Sequence, residues 1–130
     1  MSETIQAEIN KQKQRGKARV KKTAEVFTPM DLCLQMVREI PTERLRNPAT
    51  TYLDNSCGDG NFLVALLQVL TEEYSHDSNQ VLNNQLYGVD LMPDNIAEVK
   101  RRLGVAEDHP HFVCHNGLTY DYSFGETPDK

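Results

Sequence analysis

The sequence predicts an α/β fold of one domain, in which about three parallel strands alternate with helices. Apolar residues recur at helical spacing in three stretches, 30–40, 61–74 and 93–103. Short β-prone runs at 50–54, 85–90 and 111–115 alternate with them. The length, 130 residues, suits one domain of about 100–150 residues and leaves no room for two.

Taken in order, residues 1–22 are a basic leader, 23–124 a folded domain and 125–130 a polar tail. Thr23–Pro29 reads as extended, because a proline biases the residue before it away from helix. The spacing of Cys33, Met36, Val37 and Ile40 predicts a helix over 30–40, closed by Pro41. Residues 41–49, with Pro41, Asn47 and Pro48, read as a loop. Thr50–Asp54 is a strand, broken by the two glycines of Asn55–Gly60. Asn61–Tyr74 is a helix with Phe62, Ala65, Leu66, Val69 and Leu70 on its buried stripe. Ser75–Asn84 is polar and reads as a surface loop. Gln85–Asp90 is the second strand. Pro93 suits the first turn of a helix that runs to Leu103, and Gly104 suits its cap. His111–His115 is the third strand. Parallel strands joined by helices require right-handed crossovers, which bring the loops after Asp54, Asp90 and His115 to one edge, where ligands bind in such sheets.

Composition removes several classes of protein. Hydrophobic residues make up 38% of the chain and the mean hydropathy is −0.58. The longest apolar segment, 62–70, is interrupted by Gln68 and falls far short of the roughly 20 residues of a membrane span. The first residues lack the apolar run of a secretory signal. Three cysteines without a Cys-x-x-Cys spacing suit reduced thiols in a cytoplasm. The net charge of −5 hides an asymmetry: residues 1–22 carry +5 and residues 23–130 carry −10. The leader reads either as a flexible, solvated arm or as an arm for nucleic acid or an acidic partner. No aromatic interleaves its lysines as a base-stacking platform requires. The acidic body is a poor phosphate binder.

Two segments carry ligand chemistry. In Asp54-Asn-Ser-Cys-Gly-Asp-Gly60 a strand ends on an acid, and two glycines let backbone pass close to a ligand. The third glycine of a dinucleotide fingerprint and the Gly-Lys-Ser/Thr of a phosphate loop are both absent. The ligand expected here therefore lacks a pyrophosphate, and Asp54 suits a cationic amino group on it. Asp90 ends the second strand, 36 residues after Asp54, where an acid accepts hydrogen bonds from ribose hydroxyls. Leu91 and Met92 behind it suit the walls of an adenine slot. The blander alternatives are a tight strand-to-helix turn and an acid at the start of a helix.

These residues, with Phe27-Thr-Pro29 upstream, resemble the S-adenosylmethionine-dependent DNA adenine-N6 methyltransferases. The resemblance is to the group in which the cofactor motifs precede the catalytic one, as in restriction-modification systems, and it covers about residues 19–124. It implies a partial Rossmann-like methyltransferase fold with S-adenosyl-L-methionine as cofactor. Phe27, Thr28 and Pro29 match the segment that packs on the methionine end. Asp54, Asn55, Cys57, Gly58, Gly60 and Phe62 match the motif Asp-Pro-x-x-Gly-x-Gly-x-Phe, with Asn55 in place of proline. Asp90 matches the ribose acid, with Leu91 after it. Asn116 falls where the family usually has an Asp that accepts a hydrogen bond from the adenine amino group; an Asn oxygen can accept that bond without charge.

The family's catalytic Asn/Asp-Pro-Pro-Tyr/Phe motif, which contacts a flipped adenine, has no counterpart, since the chain contains no Pro-Pro. The expectation is a cofactor-binding portion that does not methylate DNA alone. The alternative is a non-catalytic decoy or regulator that binds a protein partner or sequesters the cofactor. In the family's sheet the first strand is central, so a chain with three strands leaves its outer edge unpaired. That edge predicts a homodimer or a second polypeptide docked along it, or the C-terminal tail folded back onto it. DNA contact is expected through residues 11–22 or through a partner. His109, His111, Cys114 and His115 alternate on a strand in a way that does not close a tetrahedral metal site. Cys57 reads as a small packing residue, and Lys100-Arg-Arg102 as a solvated helix face.

Overall fold

A computed structural model describes residues 27–125; the basic leader, residues 23–26 of the segment expected to be extended, and residues 126–130 lie outside the described residues. The elements are α1 (Met30–Arg38), α2 (Thr42–Arg46), β1 (Tyr52–Asp54), α3 (Asn61–Glu72), α4 (Ser78–Asn84), β2 (Leu86–Asp90), α5 (Pro93–Leu103) and β3 (Phe112–Cys114). The three strands form a parallel sheet in the order β1-β2-β3. The chain is thus mixed α/β, as its periodicities predict.

Helix α5 follows its sequence signals closely. Pro93 occupies the first turn, and Gly104 caps the C-terminus at φ 73°. The Gly104 N–H donates to Arg101 O (3.2 Å) and the Val105 N–H to Lys100 O (3.1 Å), the paired bonds of a Schellman motif. Helices α3 and α5 pack on each other and on β2. Their apolar faces join Leu86 and Phe112 of the sheet and Met30, Cys33, Leu34 and Val37 of α1 in one core. Gly88 explains itself here, because a Cβ at this point of β2 would lie 2.8 Å from Leu63 Cδ1 and 3.3 Å from Cys57 Sγ.

Several expectations are corrected. Helix α1 ends at Arg38 and turns Met30, Cys33, Leu34 and Val37 inward, leaving Met36 exposed. The loop expected at 41–49 contains α2, whose Leu45 is buried; one leucine anchored in the core is enough to hold a single turn. The loop expected at 75–84 contains α4. The Asp77 carboxylate caps it by accepting the Gln80 N–H (3.1 Å), and Val81 and Leu82 are buried. On α3 the core position is taken by Leu63, while Phe62 is half-buried.

The far face of the sheet is covered by aromatic side chains. The Tyr87 ring stacks on His111 at 4.1 Å and meets Phe124 edge-on at 4.9 Å. Among the described residues, then, the C-terminal segment packs on Tyr87 of β2 and on His115 after β3, and ends with Gly125 against Pro110; up to that point it does not fold back onto β1.

The outer edge of β1 is unpaired among the described residues. The Tyr52 N–H donates to Gln85 O (2.7 Å), so Tyr52 aims its backbone groups at β2 and Leu53 aims its own outward. Leu53 is 53% exposed. Beside it runs an apolar groove of about 510 Å³ lined by Met36, Ile40, Leu53, Phe62 and Leu66. Among the described residues no helix is long and apolar enough to cross a membrane, and no group of three metal-ligating side chains is gathered. His109 instead joins β3 to α4: its Nδ1 accepts the His111 N–H (3.2 Å) and its Nε2 lies 2.9 Å from Asn83 Oδ1. Burial, aided by His111 and Lys100, holds this imidazole below its ordinary pKa.

Candidate functional site

The carboxyl ends of β1 and β2 present Asp54 and Asp90 to a cleft built around the loop 55–60. The backbone closes this loop: the Cys57 N–H donates to Val89 O (3.0 Å) and the Gly60 N–H to Cys57 O (2.9 Å). Gly58 and Gly60 sit at φ 55° and 99°, left-handed conformations that favour glycine. Each glycine also lies under a neighbour. A Cβ on Gly58 would stand 3.2 Å from the Phe27 ring, and one on Gly60 would stand 3.0 Å from Val99 Cγ2.

The cleft has two lobes that share Ser56. The smaller, about 110 Å³, is lined by Phe27, Thr28, Asp54, Cys57, Gly58, Asp59, Asn61 and Phe62. The larger, about 200 Å³, is lined by Asn55, Asp90, Leu91, Asn116, Gly117 and Leu118. Pro29 and Gly60 stand outside both linings, Pro29 as the N-cap of α1 and Gly60 as that of α3. The remaining sequence-predicted residues therefore divide between one lobe and the other.

In the smaller lobe, Asp54 accepts one hydrogen bond from the described residues, the Ser56 N–H at 3.1 Å. No described cation pairs with it. Burial holds its carboxyl above the ordinary range; the Asp90 charge adds to this and the Ser56 N–H works against it. The Phe27 and Phe62 rings beside it offer π faces, and cations bind such faces. Burial, with Asp54 adding to it, pushes the Cys33 thiol up to about 12 and the Cys57 thiol higher still, which disfavours the thiolate in both.

In the larger lobe, Asp90 is already engaged. Its Oδ1 accepts the Gly58 N–H (3.0 Å), and its Oδ2 accepts the Met92 N–H (3.0 Å) and Asn95 Nδ2 (2.9 Å). A carboxylate offers about four acceptor positions, so these three bonds leave about one over. The side chain pins the glycine loop to β2, a role its position at a strand end does not announce. The Asn116 Oδ1 accepts the Leu118 N–H within its own turn (2.9 Å), which leaves a second lone pair and the NH₂ group for a ligand. Leu91 and Leu118, 64% and 95% exposed, form apolar rims, whereas Met92 is not part of this lining. Gly117 lets the 116–118 turn approach, since a Cβ there would stand 2.6 Å from Asn55 O.

One correction bears directly on the site. Arg102, expected on a solvated face, has a side chain only 2% exposed. Its Nη1 donates to Asp59 O (3.0 Å) and to Asn61 Oδ1 (2.9 Å). The helical period places Arg102 one position before buried Leu103 and three after buried Val99, so its inward lean was open to a stricter count of that face. Ser56, Asn61, Gly117 and Leu118 were not singled out from sequence either, because each gains its place only when separate loops meet.

No protein-family model matches this chain, and no curated protein matches it in sequence.

Proposed function

We propose that the cleft binds S-adenosyl-L-methionine, and that this chain is the cofactor-binding portion of an adenine-N6 DNA methyltransferase of the restriction-modification type. The observation that carries this reading is the pairing of lobes across Ser56. One holds a half-buried carboxylate without a described cation beside two aromatic rings; the other holds an acid and an amide between two leucines. A ligand with an ammonium and a sulfonium at one end and a nucleoside at the other suits this donor set. When bound, the cofactor supplies a methyl group on a sulfonium. The chain's own residues have simpler tasks. Asp54 neutralises the ammonium, Phe27 and Phe62 face the cationic end, Asp90 accepts from a ribose hydroxyl, and Leu91 and Asn116 hold the base. The sequence of helices and parallel strands supports a partial Rossmann-like methyltransferase fold.

Calorimetry with S-adenosylmethionine and S-adenosylhomocysteine tests the reading. Binding of both is expected, and binding of neither at millimolar ligand overturns it in favour of a non-catalytic, protein-binding role.

The chain contains no Asn/Asp-Pro-Pro-Tyr/Phe, and the open edge of β1 shares Asp54 and Phe62 with the smaller lobe. We assign to this edge a further strand, supplied by a second polypeptide or by a longer parent of this chain, whose carboxyl end would then reach the cleft with that motif. In a preparation of this chain alone another copy can offer that strand, so homodimers are expected. Light scattering should give a mass above the 14.8 kDa monomer at micromolar concentration, and labelled methyl should not pass to DNA. A monomer mass removes the exposed-edge argument, and methyl transfer by the chain alone shows that no second chain is needed. DNA contact is assigned to residues 11–22 or to that partner. Cytoplasmic placement remains the expectation from the cysteine usage alone.

A further inference from the structure

A buried polar relay that includes Thr28, Asp59 and Asn61 of the smaller lobe's lining joins three distant parts of the chain. Asn61, the first residue of α3, is 5% exposed. Its Nδ2 donates to Thr28 O at 2.6 Å, and its Oδ1 accepts from Arg102 Nη1 at 2.9 Å. The same Arg102 nitrogen donates to Asp59 O at 3.0 Å. The chemistry leaves one orientation for the amide. A guanidinium only donates and a carbonyl only accepts, so the Asn61 oxygen must face Arg102 and its NH₂ must face Thr28. Away from water such a relay is strong when every member is satisfied, and costly when one is lost.

We infer that Asn61 is a positioning residue that latches the Phe27–Pro29 segment onto the glycine loop, with Arg102 of α5 orienting the latch. Thr28 is otherwise held through Cys33, whose Sγ lies 3.7 Å from the same carbonyl, a weak contact. The latch therefore contributes to where the Phe27 ring lies over Gly58 and to the width of the smaller lobe. None of its members lines the larger lobe. Two consequences are distinct from simple folding. Loss of the latch should loosen the segment before α1 while α3 and α5 stay folded. It should also weaken ligands that fill the smaller lobe and spare those that occupy only the larger. The second consequence rests on the proposed function, and the first does not.

Asn61→Asp is the decisive variant. It keeps an oxygen for Arg102 and sets a second oxygen against the Thr28 carbonyl, so the fold survives while the latch opens. Asn61→Ala removes both contacts and serves as the comparison. In the full chain, hydrogen exchange read by mass spectrometry should rise at least about tenfold in peptides spanning 27–36, the loss of roughly one hydrogen bond. Peptides of α3 and α5 should exchange as in the wild type. S-adenosylhomocysteine should bind Asn61→Asp about tenfold more weakly for the same reason, with adenosine binding unchanged. Wild-type exchange over 27–36 in Asn61→Asp overturns the latch, and so does an equal rise in exchange across all helices. An equal loss for both ligands overturns its confinement to one lobe. If the wild-type chain binds neither ligand, the cofactor reading fails, and the exchange data alone decide the latch.

Discussion

Asp90→Ala is expected to lower folding stability by about 3 kcal/mol, because hydrogen bonds to a charged group are each worth about 1.5–3 kcal/mol and several are lost together. Three donors, the Gly58 N–H, the Met92 N–H and Asn95 Nδ2, lose this acceptor at once. The sum of separate bonds would be larger, but the half-buried carboxylate leaves a space that water can enter to satisfy part of the set. The loss should appear in urea denaturation as a lower midpoint at unchanged slope. Asp90→Asn should fall between the two. Its oxygen still accepts from Gly58, whereas its NH₂ meets donors at Met92 and Asn95. Cofactor binding should weaken by roughly 1–3 kcal/mol beyond any loss of folded protein, the cost of leaving a ribose hydroxyl unpaired. An unchanged midpoint would show that the loop is held by backbone bonds alone. An unchanged affinity in fully folded protein would remove Asp90 from the ribose.

Asp54→Asn is expected to act in opposite directions on stability and binding. The wild-type carboxyl is held above its ordinary value mainly by burial, so its ionised form costs stability at neutral pH. Between the unfolded and the folded pKa the native state binds more protons than the unfolded chain. The cost is therefore present above the folded pKa and is relieved as pH falls through it toward the unfolded value. Asparagine keeps the oxygen that accepts the Ser56 N–H and removes the charge. The variant should thus be more stable than the wild type at pH 7, and the difference should shrink as the solution is acidified. S-adenosylmethionine should bind it about ten- to a hundredfold more weakly, since a charge-assisted hydrogen bond is worth roughly 1.5–3 kcal/mol. Thermal unfolding across a pH series, paired with calorimetry at pH 7, reads both effects. A variant less stable than wild type at neutral pH would show that the carboxylate is satisfied in the folded chain, and full affinity would place the ligand's cation elsewhere.

What was readable from sequence followed the strength of each local signal. Helix α5 has a proline at its start, a glycine at its end and buried Ile96, Val99 and Leu103 on one face, so its bounds needed no tertiary information. Helix α4 has only Val81 and Leu82 to bury, and seven mostly polar residues look like a loop unless the Asp77–Gln80 cap is noticed. Phe62 and Leu63 exchange places for a different reason. Helix α3 packs on α1, α5 and β2 together, so its buried surface is wider than one stripe, and a periodic pattern cannot say which flank stays half open. The candidate site divides in the same manner. Two acids at strand ends and two glycines with positive φ stand at positions that local rules select. The second wall of each lobe, Phe27 over Gly58 and Gly117 against Asn55, comes from segments far away in the chain.

The alternation of helix and strand, the glycine loop and the two acids that end β1 and β2 follow from local sequence, because each depends on backbone preference or on spacing within a few residues. Tertiary structure alone decided what those acids do. Asp90 became the pin of the glycine loop because β2 and that loop lie in contact, while Asp54 stayed without a described cation because no basic side chain of the described residues was folded against it. It also turned Arg102 inward to Asn61 and Asp59. Such partnerships join residues more than thirty positions apart, and only packing brings residues that distant within hydrogen-bond range.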